Sequence, residues 1–370
     1  MALVLALALS ARLPAQQVIF TNNFENDSFG TWSAAVGHVD HFWPLLVDQS
    51  AYYAGAPDEC YPEDVVQDWD GPFDTIDPGS VGPGVTLDFV VEVHVEPFST
   101  YITSESFYQT SRSNVLQMAT NFFAHGAKLT LEVQPPFTDA VAGHADTILA
   151  DVLALGHQIG LHFHEDAQLG ANANTLPVED WIAVLSTMKA QAETLSGGEV
   201  GSWSGGNLYP NALAASTGAG LSIKSGFKDP NTQSTAAAAV TVTPYFPGAW
   251  GSAEALLVGG GSDFLFVPTG VYPLHCTRVG AVDGPNSPAP FNYLTRAVAA
   301  SLDAAQPLAA QAMTVVFHAS GFTGSPAIRA QQIGLWNRYL TEVLDPLVAA
   351  GVLRFSRLED VEAAVLAILP

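Results

Sequence analysis

From Val85 onward, short β-branched or apolar runs alternate with stretches of helical period. That alternation constrains the fold more than any other feature of the chain, because a strand–helix–strand order lays successive strands in parallel. VTLDFVVEVHVE reads as a first strand stopped by Pro97, KLTLEVQ as a second stopped by Pro135, and QIGLHFH as a third. Proline ends such runs because it has no N–H to give a ladder. Helical patterns cover 113–125 and 145–155, the second closed by Gly156 as a C-terminal cap. The clearest helix carries Val178, Trp181, Ile182, Leu185, Met188, Ala192 and Leu195 at spacings of three and four after Pro177, one apolar stripe on a 3.6-residue period. EVGSWSGG, a short helix from Pro210 and LSIKSG follow, then a Gly/Pro-rich stretch over 231–290 holding FLFVP. MTVVFH is a further strand, Ser325-Pro326 opens a helix, and VLRF is the last strand. Ser356 and Glu359 form a capping box before the final helix. Roughly six such units predict an α/β fold, a closed or nearly closed (β/α) barrel.

Composition narrows the function. Of 370 residues, 48% are hydrophobic and 10% aromatic, enough apolar surface for a large core. Only 12 bases face 36 acids, a net charge of −24. Nucleic acid and anionic membrane are excluded as partners, since neutralising phosphates needs clustered Lys and Arg; a neutral or cationic substrate fits better. No apolar run reaches the roughly 20 residues of a membrane span. MALVLALALSARLPAQQ predicts a signal peptide over 1–15 and a secreted or periplasmic protein. An acidic, aromatic lobe over 16–84 precedes the barrel of 85–370. The two cysteines, Cys60 and Cys276, read as one long-range disulfide or as two buried thiols.

Strand side chains alternate, so residues two apart share a face. His94 and Glu96 then project together from the end of the first strand, with Glu92 one step deeper, and His162 and His164 together from the end of the third, with Glu165 and Asp166 just beyond. Two imidazoles, a carboxylate and an open position suit a catalytic divalent metal, zinc above all, because its bound water must stay available. His318 ends its strand in the same way and is a general-acid candidate; Glu132 and Asp139 are placed to orient a ligand histidine. At the ends of barrel strands such groups read as catalytic. A nucleophilic serine fits poorly, since Trp203 occupies the centre of GSWSGG where a GxSxG elbow needs Ser. A carboxylate pair for glycoside hydrolysis stays open among Glu92, Glu96, Glu132 and Glu165. Trp203, Tyr209, Tyr245, Trp250 and Phe322 lie where loops would bring aromatic faces to a sugar.

Taken in order, these segments resemble the polysaccharide deacetylase superfamily of the carbohydrate esterase family 4 type, over about 85–366. VVEVHVEP stands at the first motif, where the family carries two aspartates. GHQIGLHFHEDAQL is similar to the second, with His162 matching the first histidine and Asp166 at the place of the next. SWSGGNLYPNALAASTGAGLSIKSG resembles the third, with Ser202 where the family has an arginine, and VVFHASG the last, its histidine matching His318. The resemblance implies a distorted seven-stranded barrel and the release of acyl groups, acetyl above all, from a carbohydrate. The metal is then held by His162 and His164 or Asp166, with His94 or Glu96. Glu96 serves as catalytic carboxylate and His318 as acid, and Trp203, Asn207 and Trp250 line the substrate. Two rival readings are a carbohydrate-binding protein on a degenerate barrel and a metal hydrolase of another C–N bond. Nothing in the pattern fixes an oligomeric state.

Overall fold

The longest described strand of the chain pairs with three others. In the computed structural model, which describes residues 67–205, 211–226, 241–247, 264–271 and 284–368, strand β1 (Leu87–His94) is buried on both faces, as a strand covered by helices on one side and a barrel interior on the other must be. Around it run β2 (Thr130–Val133), β3 (Gln158–His162), β4 (Ser202–Ser204), β5 (Ile223–Ser225), β6 (Leu265–Val267), β7 (Ala312–His318) and β8 (Leu353–Ser356). The sheet order is β6-β5-β4-β3-β2-β1-β7, with β8 added on β1. Every ladder between these strands is parallel. Among the described residues no ladder joins β6 to β7, so the curled sheet is a barrel left open along one seam.

Register decides what meets at the top. His94 pairs with Glu132 on one side and with His318 on the other, and His162 pairs with Ser204. Because paired residues in adjacent strands face the same way, these side chains share one level at the C-terminal ends of the strands. Gly160 is needed just below: a Cβ there would lie 2.8 Å from Ser202 Oγ and 3.2 Å from Glu132 Cγ.

The helices follow the apolar stripes. α1 (Glu105–Ala124) begins earlier than its sequence pattern suggests, because the Ser104 hydroxyl accepts from Phe107 N at 3.3 Å and nucleates a first turn. That turn buries only Tyr108 and so leaves no apolar periodicity to read. After α2 (Phe137–Gly143) and α3 (Ile148–Ala154), α4 (Val178–Ser196) buries Trp181, Leu185, Met188 and Ala192 and ends on Gly197 in the left-handed region. α5 (Asn211–Gly218), α6 (Ala289–Ala304) and α7 (Pro326–Tyr339, capped by Ser325) complete the outer layer, and α7 runs through a π-turn (Leu340–Leu344) into Asp345–Ala349. The final helix α8 (Leu358–Ile368) is not entered through the expected capping box. Ser356 stays in β8 and donates to Asp88 Oδ1 at 2.5 Å, while Asp360 accepts from Arg357 N at 2.9 Å. The helix starts only at Leu358, so Ser356 is one residue too early to cap it and its hydroxyl serves the buried carboxylate of Asp88. Leu358, Val361 and Val365 of α8 pack with Val90, Ile223, Leu265, Val267 and Ala312 in a small apolar cluster of their own. Burying side chains of this size contributes about 1.5–3 kcal/mol each.

Residues 67–84, the described part of the expected acidic lobe, lie against this layer. Phe73 meets Phe291 and Tyr339 edge-on at 5.5 Å each, and Arg338 donates to Trp69 O and Gly71 O with its guanidinium over the Phe73 ring. No described helix is long and apolar enough to cross a membrane. The expected signal peptide, Cys60 and Cys276 lie outside the described residues.

Candidate metal centre

Alternation along β1 sends Phe89, Val91 and Val93 to the helices and leaves Val90, Glu92 and His94 for the interior. Above Val90 that interior is polar. Glu92, Glu132, Ser202 and Ser204 are fully buried there, and His94 and His162 nearly so. Burying so many polar groups is costly unless they satisfy one another or a ligand.

At the mouth, one carboxylate gathers three imidazoles. Glu96, just past the end of β1, meets His164 Nε2 through Oε2 at 2.9 Å and His318 Nε2 through Oε1 at 2.9 Å. His162 Nε2 lies 3.7 Å from Oε1 and 3.0 Å from His164 Nε2. Glu96, His162 and His164 together present ligand atoms within 4.8 Å of one another, and Glu96 and His164 are only partly buried. Burial alone would raise the Glu96 carboxyl, but the imidazoles of His162, His164 and His318 around it outweigh burial and hold the group far below the usual carboxylate range. His162 is pushed down to about 4, chiefly by burial, so its imidazole is neutral and keeps a lone pair.

One layer down, a second knot forms around a hydroxyl. Ser204 Oγ lies 3.0 Å from His94 Nε2 and 3.1 Å from His162 Nδ1, and donates a short hydrogen bond to Glu132 Oε2. His94 Nε2 also reaches Glu132 Oε2 at 3.0 Å and Glu92 Oε2 at 3.4 Å. His94, Glu132 and His162 are close enough to ligate an ion, but the serine oxygen lies between them, and all three are buried. Burial drives His94 well below its ordinary value, with the neighbouring imidazoles His162 and His318 adding to it. Burial also raises Glu92 to about 7 and Glu132 well above the carboxylate range, the second reinforced by the charge of Glu92. Lys224, pushed down to about 7 by burial, lies 3.8 Å over the Trp203 ring and donates to Gly205 O at 2.5 Å. The mouth is open and metal-like; the layer below is closed and proton-like.

His162, His164, Glu96 and His318 thus come together as the strand pattern suggests, although His164 and Glu96 each lie two residues beyond their strands. His94 turns its Nε2 away from that group, toward Glu132. Asp166 does not join it: the residue is exposed in the one-turn helix Glu165–Leu169, and its Oδ1 accepts from Ala167 N. Trp203 cannot stack on a sugar, because it is fully buried between Phe163 and Lys224 with its Nε1 donating to Ser216 Oγ at 2.8 Å. Trp203, the middle residue of β4, faces α5, which the pattern GSWSGG does not reveal. Asn207, Tyr209 and Trp250 lie outside the described residues. Of the two carboxylates expected to orient histidines, Glu132 does so for His94, while Asp139 is exposed and accepts from Gln191. Ser204 is the participant that the sequence reading overlooks; its place two residues after Ser202, at the end of a strand flanking HxH, was the available signal.

No known-family model matches the sequence, and no curated protein matches it. Solved structures do. A candidate polysaccharide deacetylase from Mycobacterium smegmatis is similar with a TM-score of 0.52 at 13% identity, over 80% of this chain and 96% of that one. The chain has the polysaccharide deacetylase fold. A 4-alpha-glucanotransferase from Thermococcus litoralis is similar with a TM-score of 0.51 at 12% identity, over 77% of this chain and 41% of that one. At such identities the likeness is one of architecture, and the chemistry must be argued from the side chains. In this deacetylase-type barrel they sit at the C-terminal ends of the strands, where barrels of parallel strands carry their sites.

Proposed function

We propose that the protein is a metal-dependent hydrolase that removes an acyl group, acetyl in the first instance, from a neutral or cationic carbohydrate. The observation that carries this reading is the convergence of His162 Nε2, His164 Nε2 and Glu96. Two imidazole nitrogens 3.0 Å apart are held together only where a proton or a cation lies between them, and the donor set of two nitrogens and a carboxylate oxygen suits zinc. A divalent ion held there supplies Lewis acidity toward an acyl carbonyl and acidifies water.

The chain's own groups do the rest. Glu96 stays ionised because the surrounding imidazoles favour its charge, with His164 and His318 bonded to it at 2.9 Å, and it fixes His318 through Nε2. The proton of the attacking water passes to the Glu96–His318 pair, and His318 returns a proton from Nε2 to the leaving amine or alkoxide. The closed polar layer beneath keeps bulk water from approaching from below. The strong net negative charge disfavours polyanionic sugars.

Purified protein should carry about one equivalent of a divalent ion and release acetate from acetylated chitooligosaccharides or xylan, with both lost on chelation and restored by zinc. Metal-free protein of full activity, or a loaded protein inert toward every acylated glycan tried, would overturn the reading.

A further inference from the structure

Resting on that metal reading, we propose that Ser204, backed by Glu132, is the positioning pair that fixes the His162 ring with its proton on Nδ1 and its lone pair on Nε2, aimed at the ion. The two strands set the pair side by side, since His162 and Ser204 are in register between β3 and β4. Ser204 Oγ commits its hydrogen to Glu132 Oε2, so what it offers His162 Nδ1 at 3.1 Å is a lone pair. Only an Nδ1–H can use it. All three side chains are buried, which leaves no water to substitute, and a buried N–H without an acceptor is strongly disfavoured. Ring orientation is locked as well: Gly205 passes so close that a Cβ there would lie 2.9–3.0 Å from the His162 ring. The other nitrogen then has one orientation left, toward His164 Nε2 and Glu96. Metal-binding imidazoles generally have their second nitrogen fixed by a carboxylate or carbonyl; here a serine hydroxyl stands between the ring and the carboxylate.

The test is zinc and cobalt affinity by chelator competition for wild type, Ser204→Ala and Ser204→Thr, with long-range 1H–15N spectra of the histidine rings in the apo and zinc-loaded wild type. Ser204→Ala should weaken both ions by about 10–100-fold, Ser204→Thr should recover most of that loss by restoring the hydroxyl, and the His162 ring should show Nδ1 protonation in both states. An alanine variant that binds within about threefold of wild type, a threonine variant no better than alanine, or a His162 ring protonated on Nε2 in the apo protein would each overturn the proposal. The spectra decide the matter even where the alanine variant does not fold. Wild-type protein that takes up neither ion overturns the metal reading, and this one with it; intact wild-type affinity with an unaffected alanine variant overturns this one alone.

Discussion

His162 Nε2 and His164 Nε2 face each other across 3.0 Å, from a strand end and from two residues past it. Both also border Glu96. The consequence is a donor set that no single residue dominates. His164→Ala should cut zinc affinity by more than about 100-fold, beyond what outer hydrogen-bond partners of a ligand usually cost. Because His164 is partly exposed, the fold should be untouched. Metal content after gel filtration, read beside the thermal midpoint, checks both halves; retained zinc would remove His164 from the site.

His318 meets the cluster through Glu96 Oε1, at 2.9 Å. A group that moves a proton without holding the ion should separate rate from loading. His318→Gln is therefore expected to lower kcat by about 10²–10⁴-fold, the usual contribution of general acid–base catalysis, while zinc content and KM stay near wild type. A variant that loses its metal would make His318 a ligand instead.

Long elements and their strand-end histidines were legible in the sequence; short elements and their contacts were not. β1 and β7 announce themselves as buried runs of seven or more residues, and Trp181, Leu185 and Met188 mark α4 by spacing alone. β4, β5 and β6 are three residues each, and Ser-Trp-Ser has no apolar periodicity, so neither the burial of Trp203 nor the approach of Ser204 to His162 could be read. Those facts depend on register between strands distant in sequence. Asp166 misled for a related reason: its spacing from His162 matches a family motif, but the chain turns into a one-turn helix at Glu165 and carries the carboxylate outward.

A different histidine links stability to pH. His125, at the C-terminal cap of α1, places Nδ1 2.8 Å from Asp345 and Nε2 2.9 Å from Asn337. Burial acts to lower its pKa, but the hydrogen bonds to Asn337 and Asp345 and the charge of Asp345 prevail and raise it above 6.5. A group raised on folding stabilises fully below its unfolded value and loses that contribution as pH climbs through the folded one. Wild type should exceed His125→Gln by about 1 kcal/mol near pH 6, in the range of a cation at a helix C-terminus, and the gap should close by pH 9. Urea unfolding at the two pH values measures it. A gap that widened with pH would contradict the assignment.

Two glycines in the same backbone region separate strain from clash. Gly197 and Gly205 have φ of 75° and 72°, yet a Cβ on Gly197 meets nothing within 4 Å, whereas one on Gly205 would lie 2.8 Å from Phe163 O and 2.9 Å from the His162 ring. Gly197→Ala should cost only the left-handed backbone penalty, about 1–2 kcal/mol, and leave zinc affinity alone. Gly205→Ala carries that penalty and must in addition move either the Phe163 carbonyl, which accepts no slack from a strand end, or the imidazole itself. It should therefore be the more destabilised of the two and bind zinc at least tenfold more weakly, since a ligand displaced by a few tenths of an ångström no longer meets its partners. Denaturant midpoints and chelator competition on both variants give the comparison. Equal zinc affinities would mean that the ring tolerates displacement, and that the close pass of Gly205 is packing without consequence for the ion.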